Sequence, residues 1–85
     1  MQSCSIELKN KTGLHARPAA VFVNKAQTYE SEIEIEKDNR SVNAKSIMGL
    51  MSLGAAFGDT IILKVDGKDE EDAIEELTIL VNNFE

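Results

Sequence analysis

The chain has 85 residues, with nine lysine and arginine residues against fifteen aspartate and glutamate residues and a formal net charge of −6. This length predicts a single domain over residues 1–85, large enough to bury one compact core. Binding to a nucleic-acid backbone needs clustered positive charge, which so acidic a chain does not favour. We therefore expect no nucleic-acid partner.

Two residue types occur once each, and both limit the chemistry that is available. Cys4 is the only cysteine and His15 the only histidine, so an internal disulfide is excluded and no metal site is expected. The first residues lack a basic stretch followed by an apolar one, and no apolar run approaches the roughly 20 residues of a membrane-spanning helix. We expect a cytoplasmic protein that is not inserted in a membrane and that needs no cofactor.

The first half of the chain predicts a strand, a helix and a β-hairpin. Apolar residues alternate with polar ones up to Lys9, which is typical of a half-buried strand. Four apolar residues at helical spacing then predict a first helix over residues 16–27, with one buried face: Ala19, Phe22, Val23 and Ala26. Residues 33–44 alternate on both sides of Asp38 and Asn39, as a hairpin with a tight turn does. The same alternation places three glutamates on a solvated outer face rather than in an acid–base pair: Glu32, Glu34 and Glu36.

The second half predicts a short helix, a strand and a longer helix. Residues 47–53 form a short apolar segment that ends at Gly54, and residues 60–65 are rich in strand-forming side chains. Asp69 is the predicted cap of a last helix that has an acidic first turn and reaches nearly to the C-terminus. Strands in which apolar and polar residues alternate have one face covered by helices and one face in solvent. The order β-α-β-β-α-β-α therefore predicts a two-layer α/β sandwich. The strand order stays open, because a ferredoxin-like plait shares the first six elements.

One segment places reactive groups together: Gly13, Leu14, His15, Ala16, Arg17 and Pro18. Its histidine and arginine lie where the first helix is predicted to begin. An imidazole titrates near neutral pH, a guanidinium pairs with phosphate oxygens, and the first amides of a helix have no internal partner. The segment therefore predicts a phosphoryl site in which His15 is the acceptor, stabilised by Arg17 and the backbone amide of Ala16.

The residues alone leave two alternatives open at this site. An isolated histidine two residues before an arginine is more often a plain helix cap beside a solvated charge. The position of the cap is open too, because a residue that precedes a proline is disfavoured in the α region. Either His15 or Arg17 can therefore be the cap of the first helix.

Residues 11–20 resemble the active-site segment of HPr, the phosphocarrier of the bacterial phosphoenolpyruvate-dependent sugar phosphotransferase system. Residues 43–54 match a second segment of the same family, and length and element order agree along the whole chain. The resemblance implies a four-stranded antiparallel sheet of order 1-4-2-3 with three helices on one face. It also implies that enzyme I, charged by phosphoenolpyruvate, phosphorylates His15 at Nδ1, that Arg17 steadies the group, and that enzyme IIA domains of sugar permeases receive it.

Ser46 stands directly before the short helix, where capping alone would explain a serine. The resemblance to HPr of Gram-positive bacteria implies that an ATP-dependent HPr kinase/phosphorylase phosphorylates it, which adds about −1.5 to −2 charges. This change would weaken docking to enzyme I and create a surface for a catabolite-control transcription factor. The alternative function is therefore a mainly regulatory adaptor that acts through phospho-Ser46, although His15 favours the relay because regulatory paralogues in the family replace it.

The short helix also predicts a docking surface. On a helical wheel Ile47, Met48 and Met51 share one arc, while Leu50 and Leu53 share another. Burial of all five is the ordinary outcome for such an apolar stripe. The resemblance implies instead that the first arc is exposed and, with Ala20, docks partner proteins. We expect a monomer that carries phosphoryl groups between proteins and is not itself an enzyme.

Overall fold

The structure is a computed structural model that describes residues 1–84. Its elements follow the predicted order. The strands are β1 (Gln2–Glu7), β2 (Glu32–Lys37), β3 (Arg40–Asn43) and β4 (Thr60–Asp66). The helices are α1 (Ala16–Ala26), α2 (Ile47–Ser52) and α3 (Glu70–Asn82). Glu85, the last residue of the predicted domain, lies outside the described residues.

The four strands form one antiparallel sheet of order β1-β4-β2-β3, which the residue pattern left open and the HPr resemblance implied. The register of β4 with β1 places Ile61 opposite Ile6, and its register with β2 places Leu63 opposite Ile35. All four of these side chains are buried. Because side chains alternate along a strand, this register turns one apolar face of the sheet towards the helices.

The core lies between that face and the three helices. Its largest fully buried side chain is Phe22 of α1, and Leu77 of α3 and Leu50 of α2 are also fully buried. On the opposite face Glu32 and Glu34 are exposed, as predicted, whereas Glu36 is half-buried and pairs with Lys64. Within residues 1–84 no helix is long and apolar enough to cross a membrane.

The predicted turn between β2 and β3 consists of Asp38 and Asn39, with positive φ angles of 52° and 68°. Lys37 and Arg40 pair directly across it. Two central residues with positive φ define the tight hairpin turn whose twist matches that of the strands. Asparagine and aspartate tolerate this conformation better than other side chains, which is why the sequence signal was informative.

β1 ends at Glu7, two residues before the predicted limit near Lys9. The next residue, Leu8, is buried but bonds to a loop: its N–H donates to the Asp59 carbonyl at 2.8 Å, and its own carbonyl accepts from Gly58 at 2.8 Å. β4 begins only at Thr60, so no strand remains opposite Leu8. The other element limits differ from their predictions by about one residue.

Asp69 is the N-cap of α3 by position, but its side chain does not cap that helix. Its carboxylate instead accepts hydrogen bonds from the backbone N–H groups of Glu30 at 2.9 Å and Ser31 at 3.0 Å, and from the Ser31 hydroxyl. Asp69 therefore joins α3 to the segment that enters β2. The sequence pattern does not distinguish a carboxylate that caps its own helix from one that accepts hydrogen bonds from a distant segment. An aspartate in a loop suits both roles.

Candidate functional site

His15 is the N-cap of α1, with an extended backbone at φ −78° and ψ −179°. Of the two caps that the sequence left open, the structure selects this one. The first bond inside the helix runs from the Ala19 N–H to the His15 carbonyl at 2.8 Å. The N–H groups of Ala16 and Arg17 precede that bond, and Pro18 has none, so the first turn offers two backbone donors beside the histidine.

The His15 side chain makes no capping hydrogen bond and is exposed. It lines an open cavity of about 450 Å³, whose other residues are Thr12, Ala16, Arg17 and Pro18. The structure thus brings the predicted imidazole, guanidinium and backbone donors to one surface. Within residues 1–84 no group of three or more histidine, cysteine, aspartate or glutamate side chains is placed to hold a metal ion.

The loop between α2 and β4 supports the chain that leads into His15. The Leu14 N–H donates to the Ala55 carbonyl at 3.0 Å, and Leu14 is buried. Gly13 adopts a positive φ of 59°, and a Cβ on it would lie 2.4 Å from the Ala55 carbonyl oxygen. The two loops therefore meet so closely that only glycine fits at this position.

Asn10 and Thr12 belong to this region, and sequence reasoning gave them no role. Asn10 is only 4% exposed, and its Nδ2 donates to the Gly13 carbonyl at 2.8 Å and to Thr12 Oγ1 at 3.4 Å. A signal was present in the sequence, because Asn10 continues the inward alternation of Ile6 and Leu8. A polar residue at an inward position indicates a specific set of hydrogen bonds.

Ser46 is the N-cap of α2, as the capping interpretation predicted. Its Oγ accepts a hydrogen bond from the Gly49 N–H at 3.1 Å, and the residue is half-buried. At the other end of α2, Arg40 Nη1 donates to the Ser52 carbonyl at 3.0 Å. This six-residue helix therefore has a hydrogen-bonding side chain at each end.

The two arcs of α2 separate as the helical wheel predicted. Met48 is 83% exposed, Ile47 40% and Met51 44%, whereas Leu50 and Leu53 are buried. Ala20, on α1, is half-buried. The apolar surface formed by Ile47, Met48 and Met51 is called the α2 patch below.

Comparison with known proteins agrees with this fold. The family model described as "PTS HPr component phosphorylation site" matches residues 2–83. The chain belongs to the HPr family, the phosphocarrier components of the phosphotransferase system. It is 57% identical to HPr-like protein Crh of Halalkalibacterium halodurans over 76 residues, which are 89% of this chain and 90% of that protein. It is 49% identical to phosphocarrier protein HPr of Neisseria meningitidis serogroup A over 80 residues, which are 94% of this chain and 90% of that protein.

Solved structures give the same assignment. The crystal structure of HPr-C-His from Thermoanaerobacter tengcongensis matches with a TM-score of 0.94 at 56% identity, over 96% of this chain and 92% of that one. The HPr dimer from the same organism matches with a TM-score of 0.77, over 96% and 94% of the two chains. Crh of Bacillus subtilis, described as a swapped, intertwined dimer, gives 0.78 at 48% identity, over 96% and 94%. The shape of the described chain is therefore more similar to the first structure than to the chains of the two dimers.

Proposed function

We propose that this protein relays a phosphoryl group from phosphorylated enzyme I, through His15, to the enzyme IIA domains of sugar permeases. One observation carries the proposal: an exposed imidazole without a capping hydrogen bond shares an open cavity with Arg17 and with the first backbone donors of α1. An imidazole that caps nothing is available as a nucleophile. The neighbouring donors suit a group that carries negative charge.

The transfer step uses the lone pair of His15 Nδ1. The P–N bond forms as the bond between phosphorus and the donor breaks, and that bond's electron pair leaves with the donor. The Arg17 guanidinium donates hydrogen bonds to the phosphoryl oxygens, and the Ala16 amide adds a donor where the helix favours negative charge. A nucleophile on enzyme IIA then takes the group from His15, so the protein is a covalent carrier rather than an enzyme.

The α2 patch and Ala20 are the proposed docking surface for these partners. Exposed apolar side chains that lie together are typical of interaction sites, and methionines adapt to partners of different shape. We propose that the carrier acts in the cytoplasm as a monomer. A monomer keeps both the His15 cavity and the α2 patch open to partner proteins.

Labelling tests the relay directly. Incubation with enzyme I and labelled phosphoenolpyruvate should place one acid-labile, base-stable label on the protein, as a phosphohistidine requires. The label should be absent in His15→Ala and present in Ser46→Ala, which removes the other candidate acceptor. Equal labelling of the wild type and His15→Ala would overturn the proposal.

A mainly regulatory role is the second candidate, and two of the relatives support it. These two, 57% and 50% identical, are named HPr-like protein Crh, and one Crh structure is described in terms of catabolite repression. In this reading an HPr kinase/phosphorylase phosphorylates Ser46, whose hydroxyl lies at the start of α2 beside the α2 patch. The phosphorylated surface then binds a catabolite-control transcription factor.

Acid stability distinguishes the two candidates, because phosphoserine survives acid. Incubation with ATP and the kinase should give an acid-stable label that Ser46→Ala lacks. A protein that takes only the acid-stable label is a regulator and not a relay. Equal rates of His15 phosphorylation in the wild type and Ser46→Asp would show that charge at Ser46 does not control docking to enzyme I.

A further inference from the structure

The structure assigns Asn10 as a positioning residue for phosphoryl transfer, which acts on His15 through Gly13. The inference rests on the proposed function of His15 as a phosphoryl acceptor. It concerns a residue that does not line the His15 cavity and that the motif around the histidine does not include.

Asn10 holds the Gly13 residue from both sides. Its backbone carbonyl accepts from the Gly13 N–H at 3.2 Å, and its Nδ2 donates to the Gly13 carbonyl at 2.8 Å. The same Nδ2 reaches Thr12 Oγ1 at 3.4 Å, and Thr12 lines the cavity of His15. One buried side chain therefore fixes the turn over residues 10–13 and the side chain of a cavity residue.

Gly13 and Leu14 connect this constrained turn to His15. Gly13 is pressed against Ala55 and Ala56, and Leu14 donates to the Ala55 carbonyl. The His15 side chain has no capping bond of its own, so the backbone on its two sides sets where its ring lies. Helix α1 fixes the downstream side, which includes Arg17. The Asn10–Gly13 bonds fix the upstream side, and a shift there moves the imidazole relative to the guanidinium.

Only one half of the buried Asn10 amide is hydrogen-bonded, the Nδ2 half. The residue is 4% exposed, and no donor among residues 1–84 reaches its buried Oδ1. An apolar residue of similar size, in the inward register of Ile6 and Leu8, would avoid the cost of that unpaired oxygen but would leave the Gly13 carbonyl without the Nδ2 donor. The geometry that its Nδ2 provides accounts for the choice.

Two variants and one matched control test the inference. Asn10→Ala removes the side chain, and Asn10→Asp keeps its shape but removes the Nδ2 donors. Ile33→Val is the control. Ile33 is buried in β2, at the end of the sheet that lies farthest from Leu8. The control reports what a general loss of core stability does to the reaction.

The measurements are single-turnover transfer from phosphorylated enzyme I at saturation, the half-saturating enzyme I concentration, and the hydrolysis rate of the isolated phosphoprotein. We expect both Asn10 variants to transfer about tenfold more slowly, with half-saturation changed less than about twofold. Hydrolysis of the phosphohistidine should also change by about threefold or more, since the groups around the phosphoryl have moved. Ile33→Val should keep wild-type values for all three despite a lower melting temperature.

The outcomes separate the two levels of the argument. Asn10 variants that behave like Ile33→Val would overturn the positioning role while the relay stands. A wild-type protein that takes no acid-labile label would overturn the relay itself and the positioning role with it. Should neither Asn10 variant fold, hydrogen exchange in the wild type decides the question: the Asn10 Nδ2 protons should exchange about 100-fold more slowly than the side-chain amide protons of exposed Asn24, and equal rates would overturn the inference.

Discussion

Tyr29 and Glu76 are 47 residues apart in the chain, yet the tyrosine hydroxyl donates a hydrogen bond to the glutamate carboxylate. The bond ties the segment after α1 to α3, and Lys25 Nζ lies 3.6 Å from the same carboxylate. Burial, followed by this bond, raises the pKa of Tyr29. The hydrogen bond from Tyr29, followed by the charge of Lys25, lowers the pKa of Glu76. The segment after α1 and helix α3 are therefore joined by two groups whose pKa values shift in opposite directions, that of Tyr29 upwards and that of Glu76 downwards.

The first prediction concerns the alkaline limb of stability. Tyr29 is the only tyrosine, so ultraviolet absorbance follows its ionisation alone. It should ionise well above the ordinary value of about 10. The pKa of Tyr29 is higher in the folded than in the unfolded protein. The stability that comes from keeping Tyr29 protonated is therefore fully present below about pH 10 and is lost as the pH rises towards the folded pKa. Glu76→Gln should lower the pKa of Tyr29 only part of the way, since burial remains, whereas the exposed neighbour Glu75→Gln should leave it unchanged. Identical titration of all three proteins would contradict the coupling.

The second prediction concerns Asp69, whose carboxylate accepts from the Ser31 hydroxyl and from the N–H groups of Glu30 and Ser31. Those bonds, the Ser31 hydroxyl first, lower the pKa of Asp69. Asp69→Asn should lower the melting temperature at pH 7 by about 5 °C or more, because it disturbs donors of the almost fully buried Ser31. Asp72→Asn, an exposed change in the first turn of α3, is the control and should have little effect.

The same variant makes a prediction for acid. A lowered folded pKa contributes stability that is present above the ordinary value of about 3.9 and is lost as the pH falls through the folded value. The difference in melting temperature between the wild type and Asp69→Asn should therefore shrink below about pH 4. A difference that stays constant from pH 7 to pH 2 would show that the carboxylate charge is not what holds Ser31.

The third prediction compares two glycines that share a backbone conformation but not their surroundings. Gly13 has φ 59° and Gly54 has φ 64°. A Cβ on Gly13 would lie 2.4 Å from the Ala55 carbonyl oxygen, whereas none of residues 1–84 comes within 4 Å of one on Gly54. Gly54→Ala should cost about 1–2 kcal/mol, the conformational penalty alone. Gly13→Ala should cost clearly more or prevent folding, and urea unfolding measures both; equal costs would mean that the two loops are not in close contact.

The amino-acid sequence predicted most of this fold because its strands and helices have separate periodicities. The alternation of Ile33 and Ile35 and the helical spacing around Phe22 each identify an element without reference to the rest of the chain. Strand order has no such local signal, since it depends on which strand lies beside β4, and it came only from the resemblance to HPr. Asp69 shows the same limit: its position predicts a cap, while its partners are set by the approach of a distant segment.

The candidate site also combines residues that the local sequence predicts with contacts that only the folded chain creates. His15, Arg17 and the free amides of the first turn are neighbours in the sequence, so their proximity was predictable from where the helix begins. The support of Gly13 by Ala55 joins two loops that only the folded chain brings together. The pattern of apolar residues does not include Asn10 because it is polar, although its inward register predicts the buried position that it occupies. A polar residue at an inward position of an apolar strand pattern therefore predicts specific hydrogen bonds to the neighbouring backbone.

The last prediction separates docking from stability on the α2 patch. Met48 is 83% exposed, so Met48→Ala removes little buried surface and should change the free energy of unfolding by no more than about 0.5 kcal/mol. If Met48 is an anchor for enzyme I, the same change should weaken binding about five- to tenfold, which calorimetric titration measures. Ile79→Ala is the matched control, because Ile79 is an exposed apolar residue, 53% exposed, on α3. It should leave the affinity at the wild-type value. Equal loss of affinity in both variants would mean that enzyme I binds exposed apolar side chains in general. That result would contradict the assignment of the α2 patch as the docking surface.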